Sequence, residues 1–141
     1  MHQNLSRQRG ITLLELMTVV VIVALLATLG YPSYAEYMQR AQRTEARGAL
    51  LQYAAEQEKF YLTNNTYATS MAQLRGTGGA TMFTESGNYE VSIVGADATG
   101  YTLQADFQGT NSEASRCDIY TINQNNERGS SPYPAAQCWD R

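Results

Sequence analysis

A short polar stretch, MHQNLSRQRG, opens the chain and gives way to an almost unbroken apolar run from Ile11 to Leu29, in which Glu15 is the only ionisable residue. As a helix rising 1.5 Å per residue, this run spans roughly 28 Å, close to the hydrocarbon thickness of a bilayer. It predicts one membrane-spanning helix. Pro32, just after Gly30 and Tyr31, lacks a backbone donor and crowds the preceding turn, so a kink or local break is expected at Gly30 and Pro32. Helical spacing then resumes: Ala46, Ala49, Leu50, Tyr53, Ala54, Phe60 and Tyr61 form one apolar stripe, with Gln57 its polar interruption. Strong helix formers run on to Leu62, and Thr63-Asn64-Asn65 reads as a stop. A continuous helix from Ile11 to about Leu62 would be on the order of 78 Å long, more than a small head can bury.

After Asn65 the period changes. Thr66 to Gly79, with Gly76, Gly78 and Gly79, reads as a loop. Tyr89 to Val94 and Tyr101 to Phe107 alternate in polarity around the turn-rich Gly95 to Gly100, predicting a hairpin. Asp118 to Asn123 predicts a third strand, with a turn over Asn125 to Gly129; a fourth strand has no definite position. The expected architecture is α+β, an antiparallel sheet packed on the second half of the long helix.

Length and charge narrow the function classes. A chain of 141 residues allows one domain of ordinary size. Ten Lys and Arg against 13 Asp and Glu leave a net charge of -3, which argues against nucleic acid as a direct partner. Mean hydropathy is -0.38 despite the apolar run, so the remainder is distinctly polar.

Familiar catalytic and metal sites lack parts. The single histidine, His2, is far in sequence from the two cysteines, Cys117 and Cys138, which removes zinc sites, a Cys-His pair and a Ser-His-Asp triad. Glu56 and Glu58 point to different helix faces, and Glu36 with Arg40 and Glu56 with Lys59 have the spacing of solvated helix pairs. No catalytic residue, cofactor or metal is expected. In an exported chain the two cysteines most simply form one disulfide, Cys117 to Cys138, whose ring contributes about 3 kcal/mol by loop closure.

The apolar run itself admits three readings: a secretory signal peptide cut near Ala27 to Gly30, a plain anchor, or a segment in which Glu15 has a task. A carboxylate in the bilayer costs about 2.5 to 3.5 kcal/mol, and such groups are usually paired and functional. Arg7 and Arg9 are expected to stay on the cytoplasmic side. Tyr31, Tyr34 and Tyr37 sit where an interfacial belt belongs, or pack in an assembly.

Arg9-Gly10-Ile11-Thr12-Leu13-Leu14-Glu15-Leu16 resembles the processing site of type IV pilins and of the related pseudopilins of type II secretion, the class III signal peptide. The resemblance implies a cleaved leader over 1–10, cut by prepilin peptidase between Gly10 and Ile11, and N-methylation of Ile11, where the family more commonly has Phe. It gives Glu15 a role in assembly and register, neutralising the new amine of a neighbouring subunit. Tyr31-Pro32-Ser33-Tyr34, Arg43-Thr44-Glu45-Ala46, Glu56 to Tyr61 and Asn65-Thr66-Tyr67-Ala68 are similar to the PilE group of type IVa minor pilins.

A pilin fold is then implied, with 11–29 as transmembrane and fibre-core helix and 30–141 as the exported head, including the second half of the helix and a disulfide-closed C-terminal loop. Implied partners are major and minor pilin subunits, the peptidase, the inner-membrane pilus assembly machinery, and the membrane before assembly. The implied location is single-pass in the inner membrane, then the extracellular fibre. The function implied is a structural subunit that helps prime the pilus, and thereby twitching motility and adhesion, without chemistry of its own. Two alternatives stay open: a type II secretion pseudopilin, disfavoured by the cysteine pair, and a periplasmic binding module matured near Gly30.

Overall fold

The computed structural model describes residues 10–76, 78–110 and 116–140, the side chains of 29, 30 and 32 excepted. Residues 1–9, with Arg7 and Arg9, lie outside the described residues. Helix α1 covers Leu13–Asn64 and a one-turn helix α2 covers Met71–Arg75. Strands β1 (Thr81–Phe83), β2 (Tyr89–Ala96), β3 (Tyr101–Phe107), β4 (Cys117–Asn123) and β5 (Arg128–Pro132) follow, and a short helix α3 (Ala135–Cys138) comes last. The chain divides into two units, Met1–Tyr37 and Met38–Arg141.

In the first unit α1 starts at Leu13, two residues after the expected Ile11, because Thr12 caps it. The Glu15 amide donates to Thr12 Oγ1 at 3.2 Å, and the Leu16 amide donates to the Thr12 carbonyl at 3.1 Å. The helix passes through Gly30 and Pro32 without a break. Proline's fixed φ is compatible with a helix, and the lost donor removes a single bond.

In the second unit the predicted stripe is the packed face. Ala46, Leu50, Tyr53 and Gln57 are buried, and Ala49, Ala54 and Tyr61 pack partly against them. They face the inner side of a five-stranded antiparallel sheet of order β1-β2-β3-β4-β5. Val91 lies opposite Ala105 and Ala105 opposite Tyr120, while Ile93 and Ile122 flank Leu103. Together with Tyr89, Met71 and Trp139 these side chains form the core.

Gln57 explains why a polar residue interrupts the stripe. Fully buried, its Nε2 donates to the Ala68 carbonyl at 2.9 Å, and its Oε1 accepts the Ala68 amide at 2.8 Å. An amide side chain matches both the N–H and the C=O of one residue, Ala68, and fixes the chain leaving the helix.

Three expectations need correction. The loop over Thr66 to Gly79 contains α2, because Ser70 accepts the Gln73 amide at 3.2 Å and Gly76, at φ 72°, donates to the Ala72 carbonyl. These are an N-cap and a left-handed C-terminal glycine, and the buried Met71 anchors the turn between them. The turn expected over Asn125 to Gly129 closes earlier: Asn123 Oδ1 accepts the amides of Asn125 and Glu127, and Asn126 takes φ 60°. Arg128 and Gly129 therefore belong to β5. Finally, the first strand of the predicted hairpin runs past Val94 to Ala96 through a bulge between Ile93 and Gly95.

Candidate assembly site

Gly10, Ile11 and Thr12 precede the helix, and Glu15 occupies its first turn. Threonine with glutamate three residues on is the spacing of a capping box, a signal readable in the sequence. The carboxylate also stands at the positive end of the helix dipole. A Cβ added at Gly10 would meet nothing within 4 Å, so no packing in the described chain calls for glycine there.

From Ile11 to Leu26 every large apolar side chain is exposed, Ile11 by 74% and the least exposed, Val19, by 54%. The helix is long and apolar enough to cross a membrane, and no side of this segment is packed within the chain. Thr18 turns its hydroxyl back onto the carbonyls of Leu14 and Glu15 at 2.9 Å, so it spends its polarity on the backbone. Tyr31, Tyr34 and Tyr37 are exposed as well. Gly10, Ile11 and Glu15 thus cluster at one helix start, whereas Gly30 and Pro32 lie inside the helix.

Cys117 and Cys138 belong to the head and are joined, with a Cα–Cα distance of 5.8 Å. Trp139, next to the bridge, is a hub the sequence reading missed. Its ring packs edge-on against Tyr120 at 5.8 Å, lies under the Arg128 guanidinium at 5.1 Å, and donates Nε1–H to the Gly129 carbonyl at 2.8 Å. Its own carbonyl accepts from Arg47 of α1.

Further polar ties join helix to sheet. Glu45 accepts the Ser86 amide at 2.7 Å and the Ser86 hydroxyl. Burial pushes its carboxyl up, but the bonds from Ser86 and Thr84 outweigh this and hold it below the ordinary glutamate value. Tyr67 stacks on Tyr61 at 4.7 Å and meets Tyr101 edge-on at 4.8 Å, with its hydroxyl on Glu58. Burial first, then the charge of Glu58 and the neighbouring Tyr67, push the Tyr101 phenol up to about 12. On the sheet, burial and then Asp106 raise Asp118. Among the described residues no cluster of His, Cys, Asp and Glu is arranged to hold a metal.

Two family models match the sequence. One, described as "Type IV minor pilin ComP, DNA uptake sequence receptor", matches residues 32–121, and the "Prokaryotic N-terminal methylation motif" matches residues 5–31. Among solved structures, the non-core minor pilin PilV of Neisseria meningitidis is 24% identical with a TM-score of 0.51, over 67% of this chain and 88% of that one. A type IV pilin from Shewanella oneidensis is 20% identical with a TM-score of 0.48, over 73% and 99%. The PilV likeness concerns the fold alone. No curated protein sequence matches the chain. An apolar N-terminal helix behind a methylation motif fits membrane anchoring, and the model over 32–121 covers well over half of the 141 residues: the chain belongs to the family of the type IV minor pilin ComP, a family of structural subunits that assemble with other pilins.

Proposed function

We propose that this chain is made as a prepilin, spans the inner membrane through 11–29, is cut by prepilin peptidase between Gly10 and Ile11, is methylated at Ile11, and enters a type IV pilus with its head, 30–141, exposed. The observation that carries this reading is the helix of unpacked apolar side chains starting just after a glycine for which the described chain has no packing need. A face left bare in the monomer is supplied with lipid first and sibling helices afterwards. Loss of the leader removes Arg7 and Arg9, leaving eight cations against 13 anions and a side-chain charge of -5.

Glu15 neutralises the Ile11 amine of a neighbouring subunit, and in a low-dielectric helix bundle an unpaired charge penalises wrong register. Its place in the first turn gives it a local role too, and Glu15→Gln separates the two, since glutamine can serve in a capping box but carries no charge. Pro32 withholds the hydrogen bond that the Thr28 carbonyl would accept, so bending is concentrated around Gly30 and Pro32 as the subunit leaves the membrane. Through priming, the subunit contributes to twitching motility and adhesion.

N-terminal sequencing of the mature protein tests the core of this. Methylated Ile11 is the expected residue; Tyr31 would instead identify a soluble module, and an intact Met1 would remove the processing step. Mass spectrometry of sheared fibres should find the chain there, with Glu15→Ala and Glu15→Gln inserted in the membrane but depleted from fibre.

A second reading comes from the family description, which names a DNA receptor. It runs against the expectation, drawn from net charge, of no direct nucleic-acid binding. Arg43 and Arg116, which line one pocket beside the disulfide, support it. Gel-shift titration of a duplex at several salt concentrations tests it, because phosphate contacts produce a steep loss of affinity with salt.

A further inference from the structure

Three tyrosine rings meet where α1 ends. Tyr61, in the last turn of the helix, stacks on Tyr67 with ring centroids 4.7 Å apart and planes 27° from parallel, and Tyr67 meets Tyr101 of β3 at 4.8 Å with planes crossed at 63°. Bonds unrelated to the rings hold the stacked pair in place. The Asn65 amide donates to the Tyr61 carbonyl at 2.8 Å, the Tyr67 amide donates to the Asp97 carbonyl at 3.1 Å, and Gln57 grips the N–H and C=O of Ala68, the next residue. Tyr67 is buried, and its hydroxyl faces both oxygens of Glu58, an exposed carboxylate, at 3.3 and 3.4 Å. Burial first, and then the charge of Glu58, hold the Tyr67 phenol above its ordinary value, so it keeps its proton at neutral pH.

We infer that Tyr61 and Tyr67 form an oxidative modification site: a one-electron oxidant, of the class that peroxide generates at a haem, joins the two rings as an intramolecular dityrosine, with Glu58 as the base for Tyr67. A phenol gives up an electron far more readily when its proton leaves at the same time, and the carboxylate is placed to take it. Tyr61 is only half-buried, and its proton goes to water. Each phenoxyl radical carries spin on the ring carbons ortho to oxygen, and one such carbon from each ring forms the new bond. The two ortho hydrogens then move to the oxygens and restore both phenols. Two electrons pass to two equivalents of oxidant and two protons leave, so the chain ends lighter by two hydrogens. Position selects the partner. Rings fixed in contact react as an intramolecular pair, whereas radicals on separate molecules must first diffuse together. Crossed rings overlap less than rings near parallel, which makes Tyr61 rather than Tyr101 the partner. The bond staples the end of α1 to the chain leaving it, and it requires neither fibre assembly nor DNA recognition.

The test uses the full chain in detergent, with ruthenium(III) tris(bipyridine), generated by flash photolysis with a cobalt(III) ammine quencher, as the one-electron oxidant. Monomeric protein should gain dityrosine fluorescence and lose the mass of two hydrogens, and peptide mapping should place the cross-link between Tyr61 and Tyr67. Tyr61→Phe and Tyr67→Phe should each lower the intramolecular yield by roughly tenfold or more, because the remaining tyrosine has no stacked partner. Tyr101→Phe should leave the cross-link in place. Glu58→Gln keeps an acceptor oxygen for Tyr67 but is not a base, and should slow formation by roughly tenfold or more while the near-ultraviolet circular dichroism stays unchanged. Cross-links found only in dimers, or mapping to exposed tyrosines such as Tyr31, Tyr34 and Tyr37, would overturn the site. So would an unchanged yield in correctly folded Tyr61→Phe or Tyr67→Phe. A Glu58→Gln protein that cross-links as fast as the parent would overturn the role of the carboxylate.

Discussion

Replacing Gln57 by methionine keeps an unbranched side chain of similar length and removes both hydrogen bonds to Ala68. The Ala68 N–H and C=O are then left in the interior without the partners they have at 2.8 and 2.9 Å. An orphaned buried polar group costs about 1 to 3 kcal/mol, so two of them set a gross penalty of about 2 to 6 kcal/mol. Burial of the thioether offsets about 1 to 2 kcal/mol, leaving a net loss of about 1 to 4 kcal/mol. Equilibrium unfolding in urea, followed by near-ultraviolet circular dichroism of the full chain in detergent, measures it. With a slope of about 2 kcal/mol per molar, the midpoint should fall by about 0.5 to 2 M. Hydrogen exchange adds a local readout, because the Ala68 amide should lose protection ahead of the neighbouring core. A Gln57→Met protein within about 0.5 kcal/mol of the parent, with Ala68 still protected, would refute the claim that this glutamine sits on the core stripe as a backbone clamp.

Four further outcomes are expected. Cys117→Ser combined with Cys138→Ser should lower stability by about 3 kcal/mol, read from the same urea curves, since the bridge closes a ring with a sequence separation of 21. Glu45 is held below its ordinary value of 4.5, so its contribution is present above that pH and is lost as pH falls through the lower native value; Glu45→Gln should flatten this acid limb of the stability curve. Tyr101 shows the opposite sign: its phenol is raised from 10.0 to about 12, so stability is intact below pH 10 and declines as pH climbs toward 12. Absorbance titration near 295 nm should show a late-ionising tyrosine that is lost in Tyr101→Phe, while Tyr67, raised by burial and then by the charge of Glu58, still ionises late. Arg47→Met should loosen the contact between α1 and the C-terminal loop, raising hydrogen exchange around Trp139 while leaving the Ala68 amide protected.

Much of this fold was legible because period alone marks long elements. The stripe from Ala46 to Tyr61, Phe60 excepted, and the alternation in β3 supply the core side chains they predict, since each repeats over several turns or pleats. Short elements escaped. Helix α2 has five residues and is fixed by Ser70, Gly76 and Met71, cues readable as caps once a helix is suspected but silent as periodicity. Strand β5, RGSSP, has almost no apolar signature and exists because β4 supplies a ladder and Trp139 a hydrogen bond. Gly10, Ile11 and Glu15 share one helix start because they are local in sequence, so their placement follows from spacing alone. The pocket beside the disulfide was not readable, because Arg43 and Arg116 are distant along the chain and only folding brings them to one cavity.

The borders of the sheet carry a last consequence. On one side β1 offers only three residues, and on the other β5 ends in Pro132, which has no amide hydrogen to give. Neither rim provides a long free ladder for a foreign strand, so the heads are poor at zippering to one another edge to edge. Crowded heads are thereby kept from sticking in unordered clumps.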